Sequence, residues 1–191
     1  KEAKVEIPEI INETIYYLGQ GYAYTWQNLN SDILMNGNNL SNNLEFDQYL
    51  RRFSYKFKNE NREFGGYAIL NNKKISIIMD IGEPPPLRFS PEYQSGALSF
   101  EIISNGKKLI TNCGYYKKNN QNLNEISKSS AAHSTLIIDD NSSCKFTKKK
   151  DKLILKTGLK ITQKNSVCEK NYWKICAAHD GYFKKFKSIH E

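Results

Sequence analysis

The sequence has no apolar run of about 18 or more residues, the length that a membrane-spanning helix needs. Its longest apolar stretch, residues 75–81, is interrupted by Ser76 and Asp80. A disordered chain is also excluded, because 39% of the residues are hydrophobic and 12% are aromatic, enough to bury a core. A length of 191 residues allows one domain, or one domain with an appendage. We therefore expect a globular chain without a membrane span.

Arginine is scarce: four of the 28 basic residues are arginines and the others are lysines. Nucleic-acid readers favour arginine, because its guanidinium grips phosphate and guanine with two hydrogen bonds. The composition therefore argues against a nucleic acid as partner, while the formal charge of +8 remains compatible with a polyanionic substrate. Residues 145–160 hold seven lysines against one acid, Asp151. We interpret them as a solvated strand face, with attraction of a polyanion as the alternative.

Cysteines and the common catalytic signatures are few. The four cysteines form no C-x-x-C pair, which argues against a zinc ribbon or a thioredoxin motif. Four partly buried thiols are the favoured interpretation, and disulfides are the alternative. The sequence also contains no GxGxxG, GxxxxGK[ST], HExxH or GxSxG motif, so it does not indicate nucleotide binding, zincin chemistry or an α/β-hydrolase.

The spacing of apolar residues predicts a helix over residues 4–19, followed by a stop at Gly19 and Gly21. A second, short helix is predicted from Asp47 to Phe57. From Gly65 onward the pattern changes to short β-branched or aromatic runs that are separated by turns. The predicted strands are Tyr67–Leu70, Ile75–Ile81, Ala97–Ile103, Lys108–Cys113, Thr135–Asp139 and Leu153–Thr157.

These strands should pair antiparallel, because no long helix separates them. Ser104-Asn105-Gly106-Lys107 predicts a hairpin turn between two of them. Several short strands at this spacing predict a β-sandwich or a barrel. Leu98, Phe100 and Ile102 alternate with small or polar residues, so we expect these three side chains to share the buried face.

Three histidines limit the search for a catalytic site. His133 lies where a polar loop is predicted to enter a strand, among small residues that can leave its ring facing a cleft. The alternative is a hydrogen-bonded histidine at a strand edge. His179 precedes Gly181, whose turn lets neighbouring side chains converge, with a plain turn as the alternative. Both histidines could also ligate a metal together with an intervening acid. The candidate third ligands are Asp139, Asp140 and Asp151.

Six segments occur in an order that resembles the heparinase II/III-like family of polysaccharide lyases, specifically its C-terminal β-sandwich domain. The resemblance covers roughly residues 32–191. The segments are Gly66-Tyr67-Ala68, Asp80-Ile81-Gly82 with Pro84-Pro85-Pro86, Ser95-Gly96-Ala97-Leu98-Ser99-Phe100-Glu101, Thr111-Asn112-Cys113-Gly114, Ala131-Ala132-His133-Ser134-Thr135-Leu136-Ile137-Ile138-Asp139-Asp140 and His179-Asp180-Gly181-Tyr182.

The resemblance implies a mainly β fold, an antiparallel β-sandwich of layered sheets preceded by a short helical segment. Residues 1–60 would be that helical segment and a linker, the end of an N-terminal α/α toroid that belongs to the same parent chain. Residues 61–191 would be the sandwich domain, incomplete at its C-terminus. The toroid is then the expected protein partner. The resemblance also implies a bacterial protein of the periplasm or the cell envelope.

Members of the family cleave uronic-acid polysaccharides by β-elimination. The C5 proton lies α to a carboxylate, so that carboxylate must be neutralised, a base must take the proton and an acid must protonate the departing O4. The family's sandwich histidine matches His133, which the resemblance implies to be catalytic. Lys128 stands where the family often has arginine, and with His179 and Tyr182 it would bind the anionic polysaccharide.

Some members of the family hold a structural zinc, so the resemblance implies a zinc or other divalent metal on His179 and Asp151. The family's histidine before Leu-Ser-Phe is missing from residues 93–96, and its catalytic tyrosine belongs to the toroid. We therefore expect this chain alone to be inactive. The alternative function is a non-catalytic carbohydrate-binding or structural β-sandwich.

Overall fold

In the computed structural model, which describes residues 8–38, 43–116, 121–150, 152–170 and 172–191, helices occupy the beginning of the chain. Helix α1 (Glu9–Tyr22) continues into a π-helical turn (Ala23–Gln27), and α2 comprises Asn43–Arg52. The predicted helix over residues 4–19 therefore exists, although its first four residues lie outside the described part of the chain. The predicted stop at Gly19 and Gly21 is wrong, because the helix includes both glycines and continues to Tyr22. No helix among the described residues is both long and apolar enough to cross a membrane.

Five antiparallel strands form the main sheet in chain order. They are β1 (Glu63–Phe64), β2 (Tyr67–Asn71), β3 (Ile75–Asp80), β4 (Phe100–Ser104) and β5 (Lys107–Ile110). The predicted hairpin at residues 104–107 is confirmed. Its central residues, Asn105 and Gly106, have φ angles of 50° and 74°, the left-handed pair that a tight two-residue hairpin requires.

Two further antiparallel hairpins follow the main sheet. The first pairs β6 (Lys145–Lys149) with β7 (Lys152–Thr157), and the second pairs β8 (Ile161–Cys168) with β9 (Trp173–His179). Short helices flank them: α3 (Gln121–Lys128) precedes the first hairpin and α4 (Phe183–Phe186) follows the second. The strands that follow residue 60 are thus antiparallel throughout the described chain, as predicted.

The main sheet is covered on both faces. On one face, Ile69, Ile78 and Ile103 pack against Tyr24 of the π-helical turn and against Leu29, Ile33 and Met35 of the stretch that follows it. On the other face, Ala68 and Ile81 pack against Leu98 and Ala177, the last of which lies on β9. These layers agree with the predicted mainly β, layered architecture. The predicted boundary between residues 60 and 61 stays a prediction.

The prediction that Phe100 and Ile102 lie on the more buried face of β4 is wrong. Phe100 and Ile102 are only half-buried, whereas Glu101 is 0% and Ile103 is 3% exposed. The alternation rule assumes one wet face, but this sheet is covered on both sides. A carboxylate can occupy the more buried side because donors surround it. Those donors are the Leu34 and Asn112 backbone N–H groups, the Asn112 amide, the Thr111 hydroxyl and the Lys108 ammonium, at 2.8–3.4 Å.

The strand predicted over Thr135–Asp139 is also wrong. Only an isolated bridge between Ile138 and Asn141 forms there. Asp139 and Asp140 adopt left-handed φ angles of 49° and 56°, which end any extended run. Side-chain hydroxyls hold the segment instead, since Thr135 Oγ1 donates to the Ala97 carbonyl at 2.7 Å.

Candidate functional site

Hydrogen bonds from small residues hold the backbone on both sides of His133. A single 3₁₀ turn, Ser130–Ala132, leads from α3 to His133, which has extended φ and ψ angles of −130° and 156°. Ser130 Oγ donates to the Ser95 carbonyl at 2.8 Å, and Ser134 Oγ donates to the Phe100 carbonyl. The Ser134 backbone N–H donates to Asn112 Oδ1 at 2.9 Å. His133 therefore lies in a segment that is fixed against the stretch leading into β4.

The His133 ring has no hydrogen-bond partner among the described residues. Its side chain is buried, with the residue 9% exposed, and neither Nδ1 nor Nε2 makes a hydrogen bond of normal geometry, although the Ser127 backbone lies near the ring. Burial lowers the pKa of His133 to about 4, and the nearby Ser127 backbone and Glu101 charge offset this only in part. The ring is therefore neutral at physiological pH, with one N–H to donate and one lone pair to accept.

Gly96 provides the surface against which this ring lies. A Cβ atom at position 96 would lie 3.4 Å from His133 Cγ and 3.2 Å from Ser99 Oγ. The Ser99 hydroxyl is itself buried and unpartnered. Unsatisfied buried polar atoms cost free energy and often mark a functional site. Gly96 and Ser99 thus join His133 in a polar site that sequence reasoning identified only at the histidine.

Lys128 lies five residues before His133 and is almost completely buried, at 2% exposed. Its Nζ donates to the carbonyls of Pro91 and Tyr93 at 2.6 and 2.7 Å. It also lies 5.0 Å and 4.8 Å from the ring centroids of Tyr115 and Phe146, within cation–π range. Burial lowers the pKa of Lys128 to about 8. The ammonium is thus engaged inside the protein, and its predicted role in substrate binding stays a prediction.

His179 and Tyr182 belong to a closed hydrogen-bonded cluster with His190. His179 is fully buried, and its Nδ1 accepts the Gly181 backbone N–H at 3.1 Å. A neutral ring must then carry its proton on Nε2, which faces His190 Nδ1 at 3.1 Å. Tyr182 packs on both histidine rings and donates its hydroxyl to the Leu136 carbonyl at 2.6 Å.

The predicted site residues therefore meet around one segment. Lys128 precedes His133, and the Tyr182 hydroxyl bonds to Leu136, three residues after it. The structure does not bring the His133 and His179 rings into a hydrogen bond: His179 is paired with His190, a partner that the sequence reasoning missed. The predicted binding roles of His179 and Tyr182 stay predictions.

The predicted metal site is not formed by the described residues. They contain no group of three histidine, cysteine, aspartate or glutamate side chains placed to hold an ion. Both ring nitrogens of His179 are already engaged, by Gly181 and His190. Asp151, the other predicted ligand, lies outside the described residues. The zinc or other divalent metal stays a prediction, and we derive no chemistry from it.

A separate cavity of about 470 Å³ also escaped the sequence reasoning. Its buried carboxyl group, Asp80, accepts hydrogen bonds from the Asn36 amide at 2.8 Å and the Gly82 N–H at 3.1 Å. Burial raises the pKa of Asp80 to about 6. Glu83 and Glu92 also line this cavity, and its lining within the described part of the chain includes no lysine or arginine. Its charge is therefore unsuited to the carboxylate of a uronic acid.

Comparison with known proteins connects these features to a family. The family model described as heparinase II/III-like, C-terminal, matches residues 61–191. Among curated protein sequences, none matches the chain.

Solved structures share the fold. A heparinase III, the BT4657 gene product, superposes with a TM-score of 0.64 at 14% identity, covering 92% of this chain and 30% of that protein. The heparan sulfate lyase HepC from Pedobacter heparinus superposes with a TM-score of 0.52 at 12% identity, covering 78% of this chain and 25% of that protein. The chain thus spans less than a third of the length of either protein, and at these identities the likeness concerns the fold.

Proposed function

We propose that this chain, which belongs to the heparinase II/III-like family through its C-terminal domain, forms part of a polysaccharide lyase. In this proposal the sandwich completes a cleft whose other wall is an N-terminal toroid of the same protein. The substrate is an anionic polysaccharide that contains uronic acid, and the bond is broken by β-elimination. The proposal also places the protein in the periplasm or cell envelope of a bacterium.

One observation carries the proposal: His133 is a buried, neutral imidazole whose two nitrogens have no partner among the described residues. In the two-domain enzyme, substrate and toroid side chains would supply those partners. A histidine kept only for the scaffold would be expected to use its nitrogens within the chain, as buried polar groups normally do.

The state of the imidazole limits its role in the reaction. In β-elimination a base takes the C5 proton, the C5–H electron pair forms the C4=C5 double bond, and O4 departs with a proton from an acid. A ring whose pKa is about 4 holds no second proton to give to O4. His133 can instead donate its single N–H to the uronate carboxylate, which stabilises the negative charge that develops when C5 is deprotonated. Its free lone pair could alternatively accept the C5 proton.

The test is to replace His133 in the intact protein. We expect His133→Ala and His133→Gln to lower turnover by about 10²–10³, the usual cost of removing a donor to developing charge. Formation of the unsaturated uronate would be followed by ultraviolet absorbance, and a thermal melt would report the folded fraction. His190→Gln is a matched control, because it alters a histidine of the closed cluster and should leave turnover per folded molecule within about twofold of wild type.

The alternative, a non-catalytic carbohydrate-binding or structural sandwich, predicts a different result. The His133 variants would then melt early while their activity per folded molecule stayed near that of wild type. That outcome would remove His133 from the proposed mechanism.

A further inference from the structure

The positive charge of this chain is concentrated in one hairpin. The hairpin residues 145–157 hold six lysines and one aspartate, a net charge of +5, whereas the whole chain carries +8. The other residues, with 22 basic and 19 acidic side chains, therefore contribute only +3. A solvated surface normally mixes both signs. Solvation alone therefore does not explain the composition of this hairpin.

The β6–β7 pairing turns the outer face of the hairpin into a row of cations. Phe146 pairs with Leu155, and both pack toward the core with Tyr93. Residues that alternate with them point to the opposite face, where Lys149 lies directly across from Lys152. Lys145 lies on the same face at the other end of β6, and Lys156 is exposed where the register shifts. We call Lys145, Lys149, Lys152 and Lys156 the lysine strip.

The strip opposes the stability of its own hairpin. Like charges directly across two strands are destabilising. All four side chains are exposed, and none has an acidic partner among the described residues. A single charged residue is enough to discourage edge-to-edge strand pairing. A row of four needs another explanation, and an external polyanion supplies the missing negative charge.

We propose that the lysine strip is a secondary binding surface for the anionic polysaccharide, outside the catalytic cleft. This proposal rests on the proposed function for the identity of its ligand. The strip contains no arginine, and the exposed hairpin face offers no aromatic ring for base stacking. A nucleic-acid surface would use both residue types, whereas ammonium groups spaced along a strand suit the carboxylates and sulfates of a glycan.

The hairpin is attached to the segment that carries His133. Phe146 on the inner face of β6 lies under the Lys128 ammonium at 4.8 Å, and the Leu155 N–H donates to Ser90 Oγ at 3.0 Å. A polysaccharide chain held on the outer face would therefore be bound to a hairpin that contacts the segment leading to His133. The strip would raise the local concentration of polymer without touching the bond that is cleaved.

The experiment measures binding without turnover. All variants carry His133→Ala in the intact protein, and the probe is heparan sulfate of defined length. We expect the added changes K145Q, K149Q, K152Q and K156Q to weaken binding about tenfold, since charged surfaces change ligand capture by 10 to 10³. The difference should disappear as salt approaches 1 M, where the screening length falls to about 3 Å.

The matched control removes four exposed lysines elsewhere, with K73Q, K74Q, K184Q and K187Q, and should stay within about twofold. Equal weakening by both sets would mean that net charge alone binds the polymer, and no weakening by the strip variant would also overturn the proposal. If single-stranded DNA of equal charge displaces heparan sulfate with equal affinity, the glycan assignment is wrong. Because no turnover is measured, failure of the lyase function would appear separately, as missing unsaturated product in wild type.

Discussion

His133 and His179 are both buried, and burial lowers the pKa of each to about 4, yet their surroundings differ completely. The two nitrogens of His179 are satisfied by Gly181 and His190, while those of His133 make no hydrogen bond of normal geometry within the described residues. Burial and pKa therefore do not distinguish the two histidines. Hydrogen-bond satisfaction does, because an unsatisfied buried group lowers stability unless something outside the chain completes it.

The largest expected difference in stability is between two single variants, His179→Leu and His133→Leu. His179→Leu leaves the Gly181 N–H and His190 Nδ1 without partners, and at about 1–3 kcal/mol for each group we expect a loss of about 4 kcal/mol. His133→Leu keeps the volume and removes two unsatisfied nitrogens, so its free energy of unfolding should stay within about 1 kcal/mol of wild type. Denaturant unfolding would measure both variants. Equal losses would erase the distinction between the two sites.

The next largest effect is a loss of folding stability at acidic pH, which follows from the lowered pKa of the buried His133. Its pKa falls from 6.5 when unfolded to about 4 when folded, so the unfolded state takes up the proton first as pH drops. The stability contributed by the neutral ring is complete above pH 6.5 and is lost as pH falls toward 4. This loss amounts to about 3 kcal/mol.

Comparison of wild type with His133→Leu isolates that contribution. The two stability curves should run parallel above about pH 7, and the curve of wild type should then fall by about 3 kcal/mol relative to that of His133→Leu between pH 6.5 and 4. Urea unfolding at a series of pH values would provide the curves. Parallel curves throughout the acid range would mean that His133 is protonated as easily in the fold as in water.

Two tyrosines extend the comparison to a smaller effect. The Tyr182 hydroxyl donates to the Leu136 carbonyl, whereas the buried Tyr93 hydroxyl has no nitrogen or oxygen partner among the described residues and lies beside the weakly accepting Cys144 thiol. We expect Tyr182→Phe to cost about 1–2 kcal/mol, because it leaves a carbonyl unsatisfied, and Tyr93→Phe to change stability by less than about 0.5 kcal/mol. Thermal melts of the two variants, run side by side, would show which substitution lowers stability more. A larger loss at Tyr93 would show that its hydroxyl is bonded after all.

Local signals predicted the features that depend on neighbours in the chain. The turn at Asn105 and Gly106 and the antiparallel strands after Gly65 follow from backbone preference and period-two patterning. The strand expected after His133 failed because Asp139 and Asp140 turn the backbone, and hydroxyls of Ser134 and Thr135 bind a distant segment instead.

The site was predictable only in part, for a physical reason. The family resemblance pointed to His133, but the close packing of its ring depends on Gly96, beside the buried Ser99 hydroxyl, and both residues lie more than 30 positions away in the sequence. The burial of Lys128 likewise requires carbonyls at Pro91 and Tyr93. Such partners are chosen by tertiary packing, which no local pattern encodes.

The hydrogen bonds of the buried Glu101 carboxylate join the N-terminal part of the chain to the main sheet, which affects how the two unfold. Its carboxylate accepts the Leu34 N–H across 67 residues of sequence and also holds Asn112. A fragment that begins at residue 61 would lose that donor and expose Ile69, Ile78 and Ile103 to water, because their covering layer precedes it. We therefore expect the segment around residues 24–35 to unfold together with the main sheet. Amide exchange at Leu34 should slow and quicken together with the exchange of the central strands.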